Sequence, residues 1–441
     1  MSIKYTLNKL KRISEIKTAN DIKQLSYAQF PGTHCPLFGV ALTAGYIKDL
    51  CILIIGTDEC TYYTKTFTLE RSNNVEGLQD NFFCLPVNKN DVVFGCEEKL
   101  KNALKKIDEK YSPKAILLVT TCVLEIIGED FEGLIFNIQN QIRAKLILVH
   151  TEHFKCNSHI PGIERSLEAF IELMETMPIK EDSINILGHR YEGVENTELI
   201  RLLRSKQVDI NLVFPSSCNI ETIKKAAQAK LNIVTDFTAL ALAEKMKNRF
   251  GIEYVYFDKY LSFERIESCY KHISEKLKIN ISNEIDDYKS AADELLHSVK
   301  PVLEGKSFIY GNTPMLAFEF CSFLCSLGMI PKLIMTRDLY TNDEKYIREI
   351  NELGFDPFVT RIANIMPLQQ IYDEIKPDFY IGHENPMNLI KKNIIQITLD
   401  IAAKKLGFEV PITVMKMILT SINNFENMKK VINKEARHAA L

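Results

Sequence analysis

Unbroken apolar runs alternate with stretches of helical period along most of the chain. Leu50-Cys51-Ile52-Leu53-Ile54-Ile55 and Ala115-Ile116-Leu117-Leu118-Val119-Thr120 are continuous and rich in β-branched residues, the pattern of strands buried on both faces. Between residues 31 and 180 the pattern predicts strands at 50–55, 81–85, 115–120 and 145–150, and helices over 97–109, 129–141 and 163–176. It restarts at Ser183-Ile184-Asn185-Ile186-Leu187-Gly188-His189. Helix 196–205, strand 209–214, a capping turn at Pro215-Ser216-Ser217-Cys218-Asn219, helix 220–229, strand 231–235 and helix 238–249 follow. A charged helix over 282–303 leads to a third block opening at Gly305-Lys306-Ser307-Phe308-Ile309-Tyr310-Gly311. That block is predicted to hold helix 314–327, strand 332–336, helices 342–353 and 367–375, strand 378–382 and a mostly helical tail. Residues 1–30 are polar and amphipathic and read as a helical arm. The expected fold class is α/β, with three Rossmann-like units, each a mainly parallel sheet flanked by helices, at 31–180, 181–303 and 304–441.

Length agrees with that division, because 441 residues exceed one ordinary core and about 150 residues per domain gives roughly three. Fifty-four basic side chains against 57 acidic ones leave a formal charge of −3, so no basic field recruits nucleic acid. The N-terminus lacks the apolar core of a signal peptide. The most membrane-like stretch, 314–330, contains Glu319 and is short for a span. It is expected to be a helix buried among others, so no membrane contact and a cytoplasmic location follow. There, eleven cysteines are better explained as thiols or metal ligands than as disulfides.

Gly305-Lys306-Ser307 resembles the end of a phosphate-binding loop, but the first glycine of that motif is replaced by Lys300, and the tripeptide precedes a strand rather than following one. No nucleotide is expected on this chain. Cys321 and Cys325 on an apolar helix, with Cys51, Cys84 and Cys269, read as small buried hydrophobes. Cys96 and Cys218 sit near helix starts without an identifiable partner. His34, His150, His153 and His159 cluster in the first unit, without the spacing of a zinc site. His189 and His383 each end a strand, beside Arg190 and Glu384, and with Asp236 they are candidates to line a cleft between units. Structural histidines are an equally good account of both. Cys35, Cys60 and Cys122 differ from the other cysteines because all three lie at turns next to apolar segments. Their spacing alone is weak evidence for a shared site.

The local sequences add more. Cys35-Pro36-Leu37-Phe38-Gly39-Val40-Ala41, Gly56-Thr57-Asp58-Glu59-Cys60-Thr61-Tyr62-Tyr63 and Thr120-Thr121-Cys122-Val123-Leu124-Glu125-Ile126-Ile127-Gly128-Glu129-Asp130 resemble, in order and spacing, the cluster-binding segments of nitrogenase component 1 subunits. That family includes the catalytic subunits of nitrogenase, their cofactor-assembly scaffolds, the dark-operative protochlorophyllide reductase and the reductive cyclase acting on nickel-sirohydrochlorin diamide. Asn88-Lys89-Asn90-Asp91-Val92-Val93-Phe94-Gly95, Ala229-Lys230-Leu231-Asn232-Ile233-Val234, Arg249-Phe250-Gly251-Ile252 and Lys376-Pro377-Asp378-Phe379-Tyr380-Ile381-Gly382 resemble further segments of the family, so the likeness covers about 31 to 410.

The resemblance implies an iron–sulfur cluster, 4Fe-4S or a larger shared P-type cluster, held by Cys35, Cys60 and Cys122 at an interface with a homologous subunit in a homo- or hetero-oligomer. Ser158 or Cys156 would supply an additional oxygen or sulfur ligand. It further implies electrons delivered by a separate ATP-dependent iron–sulfur reductase. Asp236, His189, His383 and Glu384, the strand-end candidates to line the cleft, are each able to donate a proton there. Two departures bear on function. The family's His-Gly-Pro-x-Gly-Cys turn is replaced by Ile55-Gly56-Thr57-Asp58-Glu59-Cys60, which puts two carboxylates beside the cluster unless both face solvent. Thr235-Asp236 stands where subunits holding the large metal cofactor carry a cysteine ligand, which argues against a molybdenum–iron cofactor on this chain. Two functions are compatible with the triad: an oxidoreductase subunit, and a scaffold that matures a metal cluster and hands it on. A cluster-free α/β binding protein is the plainer alternative.

Overall fold

A computed structural model describes residues 7–25, 35–71, 81–152, 154, 156, 158–311, 313, 315–340, 342–361 and 366–438. After a two-residue strand β1 (Lys11–Arg12), the first block runs α1 (Pro36–Ala44), β2 (Leu50–Gly56), α2 (Asp58–Arg71), β3 (Phe82–Pro86), α3 (Lys89–Phe94), α4 (Glu97–Tyr111), β4 (Ala115–Thr120), α5 (Cys122–Ile127), α6 (Phe131–Gln139), β5 (Lys145–His150) and α7 (Ile160–Ala169). Its four strands are parallel in the order β3-β2-β4-β5. Every residue of β2 and β4 is buried. The reason is layering: Ile52 and Ile54 pack with Leu37, Val40, Ile163 and Leu167 of α1 and α7, and Leu53 and Ile55 pack with Leu100, Leu104, Phe131 and Ile138 of α4 and α6. Continuous apolar sequence is what a strand covered on both faces requires.

The second block contains β6 (Lys180–His189), α8 (Glu198–Ser205), β7 (Asp209–Pro215), α9 (Ile220–Lys224), β8 (Ala229–Val234), α10 (Leu240–Phe250), β9 (Glu253–Tyr256) and α11 (Phe263–Leu277), followed by α12 (Ser282–Leu303). Its parallel sheet has the order β7-β6-β8-β9. The third contains β10 (Ser307–Tyr310), α13 (Ala317–Ser326), β11 (Ile330–Thr336), α14 (Asp343–Glu352), β12 (Phe358–Arg361), α15 (Met366–Ile375), β13 (Phe379–Ile381), α16 (Pro386–Lys391), β14 (Ile395–Ile397) and α17 (Glu409–His438). Its order is β1-β12-β11-β10-β13-β14, parallel except for β1. The α/β fold of parallel sheets flanked by helices is the architecture read from the sequence.

The helical arm expected at the N-terminus takes another form among the described residues. Residues 7–25 hold β1 and two 3-10 turns, Ile13–Glu15 and Ala19–Asp21, and β1 seals the edge of the third sheet by pairing Lys11 with Val359 and Arg12 with Phe358. Leu7, Leu10, Ile13 and Ile16 are all buried. Their spacing of three suits a helix, and short turns joined by extended segments satisfy it equally well. Helix α13 is buried on nearly every side, and Glu319 within it pairs with Arg265 at 2.9 Å. Among the described residues no helix is long and apolar enough to cross a membrane.

Candidate functional site

β2 and β4 are neighbours at the centre of the first sheet, and their carboxyl ends deliver two of the three cysteines. At the end of β2 the amide of Cys60 donates to Thr57 Oγ1, and the Thr57 hydroxyl donates to Cys60 Sγ, both at 3.4 Å. At the end of β4, Thr121 donates to the Ile55 carbonyl through its amide (3.1 Å) and its hydroxyl (3.0 Å), and Cys122 opens α5. The two strand ends fit only because residue 56 has no side chain: a Cβ there would lie 2.0 Å from Thr121 Oγ1.

Cys35 arrives from the other direction, as the cap of α1. That helix crosses α7 at backbone contact, since a Cβ on Gly39 would meet the His159 carbonyl at 2.0 Å and one on Gly162 would meet the Pro36 carbonyl at 1.8 Å. The crossing holds Cys35 over the same strand ends. Burial pushes its thiol up to about 11, and the proximity of Cys122 and Cys60 adds to the shift. All three cysteines are partly exposed. Cys35 and Cys60 stand at the N-termini of helices of nine and 14 residues, where the helix dipole favours an anionic sulfur.

Two further thiols adjoin the three. Cys84 on β3 lies beside Cys60 and donates to Asp58 Oδ1 at 3.5 Å, and Cys156 lies near Cys122 and Arg165. Asp58 and Glu59 are exposed. Ser158 Oγ accepts from the Ile160 amide at 3.3 Å. His34 and His153 fall outside the described residues, and His159 is buried with its ring edge-on to Phe38 at 5.8 Å. Among the described residues no three His, Cys, Asp or Glu side chains converge closely enough for a single metal ion.

A second cluster occupies the strand ends of the other two sheets. Asp236, buried at the end of β8, accepts from Arg190 (3.0 Å), Lys259 (3.4 Å), and the amide and hydroxyl of Thr238 (3.1 and 2.6 Å). Burial alone would raise its pKa, but the two cations outweigh it and hold the carboxyl well below the usual range. In the fold Asp236 is thus the acceptor of four hydrogen bonds. His189 is buried with Nε2 lacking a hydrogen-bond partner. Burial, then Lys259, lowers its pKa to about 3, so the ring is neutral. His383 is exposed and pairs with Asp400 at 3.1 Å, and Glu384 accepts from the Tyr372 hydroxyl at 2.9 Å. Burial first raises the pKa of the Tyr191 hydroxyl, and Asp236 and Asp400 are both near enough to add to the shift.

The first block reaches the same region through Glu164 of α7. Its carboxyl is raised to about 7, by burial first and then by Glu168 and Asp236. From the third block Tyr340 packs its ring at a tilt against Phe237, with 4.5 Å between ring centres, and lies near Glu164.

The family model for nitrogenase component 1 type oxidoreductases matches residues 35–419. The chain belongs to that family. The nitrogenase iron-molybdenum cofactor biosynthesis protein NifE of a Nostoc species is 24% identical over 322 residues, covering 71% of this chain and 66% of that protein. The nitrogenase iron-iron protein beta chain of Rhodobacter capsulatus is 22% identical over 415 residues, covering 86% of this chain and 87% of that one. A solved structure of nitrogenase Cp1 at pH 6.5 superposes with a TM-score of 0.76 over 90% of this chain and 94% of its own, at 17% identity, and shares the fold.

Within this component 1 chain, sequence reasoning missed Cys84, Glu164, Lys259 and Tyr340. Cys84 faces Cys60 only because β3 pairs with β2, Ile54 opposite Cys84. Lys259 follows the short strand β9, whose apolar run Tyr254-Val255-Tyr256-Phe257 was a usable signal. Glu164 sits on a helix that the sequence read as plain cover.

Proposed function

We propose that this chain is a component 1 subunit of a nitrogenase-like oxidoreductase, in which Cys35, Cys60 and Cys122 hold an iron–sulfur cluster at the boundary with a homologous subunit. One observation carries the reading: three thiols from distant parts of the chain meet at the carboxyl ends of β2 and β4. Thiolates are soft, anionic donors suited to iron. Sulfurs that neighbour one another without converging on a point are what different irons of one cluster require. A bound cluster, 4Fe-4S or a larger one shared with the partner, supplies one-electron transfer at low potential.

The chain's own residues account for the rest. Thr57 donates to the Cys60 sulfur, and the α1–α7 crossing keeps water from the inner side of Cys35. Exposed Val93 (71%), Phe94 (84%) and Ile126 (71%) border the site and support docking of an ATP-dependent iron–sulfur reductase, the nucleotide belonging to that partner. The cleft between the three units (31–180, 181–303 and 304–441) takes the substrate or cofactor. There Glu164, poised near neutrality, holds a transferable proton, while Arg190, Lys259 and Asp236 set a fixed charge pattern. A second reading, a scaffold for assembling a nitrogenase-type metal cofactor, is favoured by the likeness to NifE.

Anaerobic purification with iron and acid-labile sulfide assays tests the first claim. Iron and sulfide should be present in the wild type and lost on Cys35→Ser, Cys60→Ser or Cys122→Ser; an iron-free wild type overturns it. Repeated turnover with the reductase favours the oxidoreductase. Cluster transfer to an apo-enzyme without turnover favours the scaffold.

A further inference from the structure

The helix that begins at Cys122 is only six residues long and buries just Leu124, too little to hold a helix of that length by itself. Its first turn carries Glu125, which accepts from the Thr120 hydroxyl and faces His150 Nδ1 at 2.6 Å. The other ring nitrogen, Nε2, faces Glu132 of α6 at 3.0 Å. Ionised carboxylates can only accept, so a ring placed between two of them donates from both nitrogens and is an imidazolium.

We propose that His150 is a positioning residue for Cys122, strapping the helix that opens with this thiol to α6 and to the ends of β4 and β5. Nothing in the sequence motifs assigns His150 a part, and the strap is separate from the sulfur ligands: its contacts are Glu125, Glu132 and Thr120. The groups facing it are Glu125 from α5, Glu132 from α6 and the Thr120 hydroxyl from β4. From α7, Arg165 donates to the His150 carbonyl at 2.9 Å and pairs with Glu152.

Burial would lower the ring's pKa, but the hydrogen bonds to Glu132 and Glu125 prevail and hold it above the ordinary 6.5. The sign follows. The strap is complete below the unfolded value and is lost as pH rises through the folded one, leaving two carboxylates with no cation between them.

The significance of the strap for a cluster rests on the proposed ligand role of Cys122, so the test has one arm that needs no iron. In the full-length, iron-free chain, iodoacetamide labelling of Cys122 relative to Cys60 is followed by peptide mass spectrometry from pH 6 to 9. The wild-type ratio should be low at pH 6 and rise several-fold by pH 9. In His150→Asn it should be high throughout, and in Glu132→Gln, a change at an exposed carboxylate that tests the strap even if His150→Asn fails to fold, it should be intermediate. Ratios in the variants that match the wild type at every pH overturn the proposal.

In the anaerobically reconstituted protein, release of iron to a chelator at pH 6.5 should be several-fold faster in His150→Asn. Failure of the wild type to take up iron overturns the cluster reading alone, and the labelling ratio still decides the strap.

Discussion

The Thr57 hydroxyl touches the Cys60 sulfur without being a ligand. A donor to a cluster sulfur stabilises the reduced, more negative state, so Thr57→Val should shift the midpoint potential downward in a redox titration while iron content stays at the wild-type level. Glu164 gives a prediction about pH. Its carboxyl titrates near 7 in the fold against about 4.3 in an unfolded chain, so the native state binds the extra proton in that window and stability falls as pH rises through it. Glu164→Gln should raise the melting temperature at pH 8 and leave it unchanged near pH 4, where both side chains are uncharged. The three cysteines were legible in the sequence because each adjoins an apolar run that ends at a turn. Cys84 and the Glu125–His150–Glu132 group were not, because their partners are set by which strands lie side by side.

Among the elements, the α1–α7 crossing has the least room for change. A methyl at residue 162 would meet the Pro36 carbonyl, a backbone atom next to Cys35. Gly162→Ala should therefore cost about 1–3 kcal/mol in denaturant unfolding, and the displaced α1 should lower iron per chain more than a surface substitution of equal stability cost. The nearly unbroken apolar strands β2 and β4 were readable from sequence, as were β6, β8 and α12. Strands β9, β12 and β14 were missed: they have three or four residues each, too few for a period to emerge, and their place is fixed by neighbours in the sheet. The N-terminal arm misled for the opposite reason, its apolar period of three being shared by helices and by turns.

At the scale of the whole molecule, exposed apolar side chains gather at the ends of α3 and α5, the helix that Cys122 opens. Gly95 and Cys96 lie against Glu129, so exposed Phe94 at the end of α3 and exposed Ile126 and Ile127 at the end of α5 each stand within three residues of one contact. Exposed aromatic and aliphatic groups grouped in this way mark an interaction surface. Phe94→Ala should weaken binding of the reductase by about tenfold or more, read by titration under anaerobic conditions. The melting temperature should hardly move, since Phe94 is 84% exposed.

The antiparallel pairing of β1 with β12 joins Lys11 to Val359, across most of the 441-residue polypeptide. At ~5–20 residues per second, a ribosome takes tens of seconds to travel between them. For most of that interval Leu7 and Leu10 have left the ribosome before their partners Ile309 and Leu333 exist to cover them. Residues 7–13 are thus among the last to find their place, and a chaperone that shields them has a defined window in which to act.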